Sequence, residues 1–308
     1  MGQLVNGQWE AGWGPSGKGG AFERKASAFR ATTIAPEAGR YHLYVATACP
    51  WAHRTLITRA LRGLEHAISV TVVDPHMGAD GWPFRESEPD PLGPSRFLRD
   101  VYVRANPHYT GKVTVPVLWD KQEKTIVNNE SREVMRMLDV DLAPLSKNAI
   151  IETLAPAALL PQIESVLDAI YEPINNGVYR AGFARTQEAY DEAVRELFTH
   201  LAHWDAVLSH QPYTCGAVMT EADIALFTTC LRFDLVYYSH FKCNLRRLRD
   251  HAGLGRFTRR MWQHPAIRAT CVLDEIKTHY YWSQENVNPT RIVPVGPSEY
   301  VTDLDAPL

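Results

Sequence analysis

The sequence predicts a two-part chain, an α/β half followed by an all-helical half. Three observations carry this. Short β-branched or aromatic runs at 41–45, 68–73, 113–119 and 125–127 are each bounded by Gly, Pro or polar residues, as strands are. An apolar-faced helical run, Trp51 to Leu61, lies between the first two, and that order calls for a right-handed crossover and a parallel strand pair. From about residue 150 onward, the apolar spacing is helical.

Residues 1–37, many of them Gly and polar around Trp9 and Trp13, read as an extended arm tied down by those rings. Tyr41 to Val45 is the first strand, the helix after it ends near Gly63 as a C-cap, and Ile68 to Val73 is the second strand. Residues 74–112 are loop-like, with a short helix over Arg96 to Arg104. An insertion this long inside a compact domain is more often functional than idle. Val113 to Trp119 is a strand interrupted by Pro116, which cannot donate to a ladder and so marks an edge or bulge. A cis Val115–Pro116 bond would leave a backbone edge open to an extended ligand. After a turn over Lys121 to Thr125 and a short strand, Asn129-Glu130-Ser131 opens a helix running to Leu138. Its first-turn amides and the Ser131 hydroxyl can hold an anion; ordinary helix capping is the plainer use of the same residues.

In the second half, Pro161 to Ile170, Thr186 to Ser209, Glu221 to Tyr237, Arg246 to Trp262 and Pro265 to Thr278 read as helices. Thr220 and Asp223 form a capping box, and Asn286 to Leu308 reads as an extended strap. The expected domains are an arm (1–37), an α/β domain (38–145), a helical domain (146–285) and a tail (286–308).

The 308-residue chain carries a net charge of −3, which gives no reason to expect a nucleic acid or a membrane as partner. There is no apolar run of about 18 residues and no leader-like N-terminus. The five cysteines are odd in number and irregularly spaced, as in a cytoplasmic protein with reduced thiols.

Cys49 carries the chemistry. It sits at a strand-to-helix turn, where free backbone N–H groups and the positive end of the helix dipole favour thiolate over thiol. Pro50 suits the first helical position, because it has no N–H to lose there. Position 52 is Ala, so no local partner can close a disulfide, and a mixed disulfide on Cys49 must be resolved by an outside thiol. His53, four residues on, lacks the further ligands a metal needs and reads as a helix-surface or pocket-edge residue. Cys215, Cys230, Cys243 and Cys271 read as small apolar fillers.

This layout resembles the glutathione transferase fold, an α/β thioredoxin-like N-terminal domain plus an all-α C-terminal domain. The match is closer to one branch, the glutathionyl-hydroquinone reductases or Xi-class glutathione transferases. ACPWAHR (48–54), Gly81-Trp82, TVPVLWDK (114–121), TIVNNES (125–131), NNGVYRAGFA (175–184), RFD (232–234) and HYY with NPTRIVPVGP (279–297) carry it. The resemblance implies glutathione as co-substrate and no metal. Val115 beside Pro116 would hold the tripeptide backbone, Glu130 its ammonium, and Ser131 with the helix amides its γ-glutamyl carboxylate. Arg104 or Lys112 would take the glycyl carboxylate, and Trp82 would pack on the tripeptide. It also implies that Cys49 attacks the glutathione sulfur of a glutathionyl-hydroquinone, with Tyr179 and Tyr280 or Tyr281 as general acids, in a homodimer. Two alternatives stand beside it: an Omega-like thiol transferase or dehydroascorbate reductase using the same Cys49, and a non-catalytic glutathione-fold binding module.

Overall fold

A computed structural model describes residues 2–12, 17–23, 26–148 and 153–308. Trp13 and the expected start of the helical half near residue 150 lie outside the described residues. The chain forms two compact units. One comprises Met1–Gly14, Ala26–Glu152 and Val272–Ser283; the other comprises Pro15–Lys25, Thr153–Cys271 and Gln284–Leu308.

The first unit opens with a hairpin, β1 (Gln3–Val5) and β2 (Gln8–Glu10), where an extended arm was expected. Asn6 and Gly7 both adopt left-handed backbone (φ 47° and 76°), the conformation that Asn-Gly favours in a two-residue hairpin turn. Trp9 does tie the arm down: its indole N–H donates to the Ala79 carbonyl (3.1 Å). Next come β3 (Tyr41–Val45), α1 (Pro50–Leu61), β4 (Ser69–Val72), α2 (Leu98–Ala105), β5 (Val117–Asp120), β6 (Thr125–Asn128) and α3 (Ser131–Arg136). The four strands pair in the order β4-β3-β5-β6, with β3 and β4 parallel and the rest antiparallel. Every residue of β3 and β5 is buried. Burying side chains such as Leu43, Val45 and Leu118 stabilises the fold by about 1.5–3 kcal/mol each. Residues Phe29–Ala31 run along the edge of β6, with Ala31 N–H on the Val127 carbonyl (3.1 Å) and Asn129 N–H on the Phe29 carbonyl (3.2 Å).

The third strand begins at Val117, four residues later than expected, because Pro116 has no N–H for the ladder. Val115–Pro116 is cis. Helix α1 ends as expected, with Gly63 in the left-handed region (φ 59°). His53 is fully buried, which corrects the surface placement. The helix after Ser131 is α-helical only to Arg136 and then widens into a π turn, Met137–Asp141. Within that turn, buried Asp139 pairs with buried Arg62 at the end of α1 (3.2 Å).

The second unit holds α4 (Leu160–Ile170), α5 (Gly177–Gly182), α6 (Gln187–His210), α7 (Glu221–Arg232), α8 (Ala252–Gln263) and α9 (Pro265–Arg268). Every residue of α7 is buried, so this helix is the core of the unit. The capping box at its start is present: Asp223 accepts from the Thr220 N–H (2.8 Å) and hydroxyl (2.9 Å). Three boundaries depart from expectation. The stretch between Ile170 and Thr186, outside the expected helices, holds α5, and buried Asn175 just ahead of it donates to the Ala225 carbonyl (3.0 Å) and the Thr229 hydroxyl (2.9 Å). Helix α8 starts at Ala252, because the Asp234 carboxylate takes the Leu248 and Arg249 N–H groups (2.8 and 3.1 Å) and holds them in a separate 3-10 turn, Leu248–Asp250. Pro265 to Thr278 is two helices: the Thr270 hydroxyl and Cys271 thiol both donate to the Ile267 carbonyl (2.7 and 3.3 Å), which closes α9.

The helix after that break, α10 (Leu273–Ser283), belongs to the first unit, although the sequence places it in the helical domain. The tail is not extended throughout. It ends in α11 (Tyr300–Asp305), where buried Tyr300 donates its hydroxyl to the Leu231 carbonyl and buried Leu304 follows one turn on. Among the described residues, no helix is long and apolar enough to cross a membrane.

Candidate active site

The first unit gathers most of the predicted site residues. Cys49 is the N-cap of α1, with extended backbone (φ −79°, ψ 121°) and Pro50 directly after it. Its N–H donates to the Ala46 carbonyl (3.1 Å), which closes the turn, and its carbonyl accepts from His53 N–H (2.9 Å), which starts the helix. The thiol is half-buried and lies 3.8 Å from the Val115 carbonyl oxygen, as a donor to it. So the turn and the residue before the cis-proline meet at one sulfur.

Glu130 and Ser131 form the start of α3. The Glu130 carboxylate caps the helix weakly, accepting from Arg132 N–H (3.5 Å), and also accepts from the Ser27 hydroxyl (3.1 Å). Ser131 is buried, and the Arg54 guanidinium donates to its oxygen (3.4 Å) while lying over the Trp51 ring (4.3 Å). A guanidinium offers only donors, so Ser131 accepts there and its own hydrogen is left to point elsewhere.

One buried phenol joins the two backbone elements. The Tyr102 hydroxyl donates to the Thr114 carbonyl (2.8 Å), accepts from Thr114 N–H (3.2 Å) and accepts from the Asn129 amide (3.1 Å). Thr114 precedes Val115, and Asn129 precedes Glu130. Burial raises the Tyr102 pKa, so it stays a neutral phenol able to do both jobs.

The two candidates for the glycyl carboxylate make the following contacts. Arg104 donates to the Leu92 carbonyl (2.8 Å) and to buried Asp90 (2.7 Å), and lies over the Trp119 ring (4.9 Å). These bonds tie it to the 90–95 loop and pair its charge with Asp90. Lys112 accepts through its carbonyl from the Tyr109 hydroxyl (2.9 Å). Trp82 is 7% exposed and stacks on the His279 ring (4.6 Å between centroids, 20° between planes).

Helix α10 brings Tyr280 and Tyr281 into the same unit as Cys49, both of them buried. Tyr179 lies in the second unit, on α5, ringed by Phe22, Phe183, Tyr237 and Phe241 at 5.5–6.4 Å between centroids. Sequence reasoning missed Ser27, Thr47, Tyr102 and Glu275, and quoted Arg54 without giving it a role.

Family models agree with this arrangement. Residues 48–140 match the glutathione S-transferase N-terminal domain, and residues 187–264 match its C-terminal domain. The chain is 46% identical to glutathionyl-hydroquinone reductase YqjG of Escherichia coli, over 100% of this chain and 98% of that one. The chain belongs to the glutathionyl-hydroquinone reductase family of Xi-class glutathione transferases. It is also 46% identical to glutathionyl-hydroquinone reductase PcpF of Sphingobium chlorophenolicum, over 99% of each. Among solved structures, the glutathione-bound structure of YqjG superposes with a TM-score of 0.88 at 45% identity, covering 99% of this chain and 98% of that one. The Xi-class transferase of Natrialba magadii gives 0.89 at 46% identity, covering 100% and 96%. The glutathione transferase fold expected from the sequence is therefore the fold of this family member.

Proposed function

We propose that this protein is a glutathione-dependent reductase that removes glutathione from glutathionyl-hydroquinones through a mixed disulfide on Cys49. The supporting observation is the position of that sulfur: half-buried, at the N-terminus of α1 and beside the Val115 carbonyl. In this reading the tripeptide backbone of the substrate docks at Val115 and competes with the thiol for that carbonyl, leaving the sulfur to the helix N–H groups. Glu130 takes the ammonium, and Ser131, backed by Arg54, takes the γ-glutamyl carboxylate.

In the first step, the Cys49 thiolate attacks the glutathione sulfur. A sulfur–sulfur bond forms and the ring carbon–sulfur bond breaks. The electron pair of that bond stays on the ring carbon, which takes a proton from a phenol and leaves as hydroquinone. In the second step, a glutathione thiolate attacks the Cys49 mixed disulfide, giving oxidised glutathione and the Cys49 thiolate. One conjugate and one glutathione become one hydroquinone and one oxidised glutathione. Tyr280 or Tyr281 is the acid supplied by the first unit, and Tyr179 is assigned the same chemistry on the family resemblance. The reading includes a cytoplasmic homodimer, which sedimentation would check. The functional test is a product assay with a monoglutathionyl 1,4-hydroquinone. It should yield free hydroquinone and oxidised glutathione one to one, and Cys49→Ser should yield neither.

A further inference from the structure

The turn that holds Cys49 is tied to the helix that carries Tyr280 and Tyr281. Thr47 lies two residues before Cys49, and its hydroxyl donates to one oxygen of Glu275. Arg85 donates to the other oxygen (2.6 Å). Thr47 is 8% exposed, and the Glu275 and Arg85 side chains are about a fifth to a quarter exposed, so all three are largely shielded from water. Glu275 stands in the first turn of α10, five and six residues ahead of the tyrosine pair, about 8 Å along the helix axis. The far end of α10 has its own anchors. Ser283 donates to the Pro75 carbonyl (3.0 Å) and accepts from Met77 N–H (3.0 Å), while His279 meets the same carbonyl (2.9 Å) and stacks on Trp82.

We infer that Glu275 is a positioning residue, which fixes the phenols of α10 relative to Cys49 by clamping the turn of Cys49 through Thr47. The two ends of α10 divide the work. Its C-terminal end keeps the helix docked on the 75–82 loop. Its N-terminal end sets the register of the helix against the sulfur itself. Arg85 is required because an unmatched carboxylate this close to Cys49 would oppose a thiolate, whereas the ion pair leaves no net charge.

This rests on the reading that a tyrosine of α10 protonates the ring carbon, and it makes the two half-reactions separable. Ring-carbon release needs sulfur and phenol in register, and misplacement by about 1 Å costs up to about 100-fold. Exchange of glutathione on a simple disulfide needs the thiolate alone.

The test is a double-mutant cycle with Thr47→Val and Glu275→Ala, assayed on a monoglutathionyl 1,4-hydroquinone and on 2-hydroxyethyl disulfide. Each single variant should lower kcat on the conjugate by about 10- to 100-fold, and the double variant should be no slower than the worse single, because both break one contact. Disulfide exchange should change less than about threefold in all three. Glu275→Gln, which keeps an acceptor for Thr47, should recover part of the loss. Losses that multiply in the double variant, or parallel loss of both activities in Thr47→Val and Glu275→Gln, overturn the inference. Tyrosine variants separate the two failures. Unchanged turnover in both Tyr280→Phe and Tyr281→Phe overturns the phenol reading, whereas a slowed tyrosine variant beside an unaffected Glu275→Ala overturns the clamp.

Discussion

The two units treat cysteine in opposite ways. In the first, Cys49 sits half-buried as the N-cap of a helix, at the positive end of its dipole. In the second, Cys230 and Cys243 are fully buried, and burial raises the thiol pKa of both, Cys230 to about 12. Cys271 is also pushed up to about 12 by burial, and Cys215 is raised for the same reason. On the proposed function, one residue type serves as a nucleophile at a turn and as a packing element inside a helical core. The backbone around it makes the difference, since burial without an anion-stabilising partner keeps sulfur protonated.

Four experiments press on that contrast. The largest effect belongs to Cys49: Cys49→Ser and Cys49→Ala should abolish hydroquinone release, while Cys230→Ala, at the core of the second unit, should lower the melting temperature and leave Cys49 chemistry in place. Next, Tyr179→Phe and the more important of Tyr280→Phe and Tyr281→Phe should slow release by roughly 10²–10⁴, the range for losing a general acid. Third, iodoacetamide should modify Cys49 alone in the native protein, with a pH midpoint below the free-thiol value of about 8.5; peptide mass mapping would show the other four reacting only in denaturant. A midpoint at the free value would erase the contrast.

The smallest effect touches both units alike. His42 in the first and His240 in the second are buried, and burial lowers each pKa to about 4. Below pH 6.5 the unfolded chain binds protons that the fold refuses, so stability should fall as pH drops from 6.5 to about 4. The slope is at most about 1.4 kcal/mol per pH unit for each histidine. Urea midpoints at pH 7 and 5 would show it, and His240→Asn should make the slope shallower.

What was legible in the sequence was local. The Cys49 turn could be read because a strand, a proline and a helix follow within about twenty residues, and each leaves its own period. The Thr220–Asp223 box could be read because its partners are three apart. The Asn6-Gly7 hairpin was equally local, yet was overlooked among surrounding glycines. Contacts that close over long separations left no pattern. Thr47 and Glu275 are 228 residues apart, and Ser27 and Glu130 are 103 apart. The pairing of Arg104 with Asp90 escaped notice for a related reason: Asp90 lies in a Pro- and Gly-rich loop whose path carries no period.

Helix α10 returns to the first unit after the chain has built most of the second. During synthesis the thiol turn therefore emerges from the ribosome more than two hundred residues before the helix that completes its surroundings. Until then Thr47 lacks its carboxylate and Trp82 its stacking ring. An excised fragment ending at residue 152 would be a sheet with a cysteine and no phenol helix, so this catalyst cannot be shortened to its first half or rebuilt by fusing that half to another helical partner.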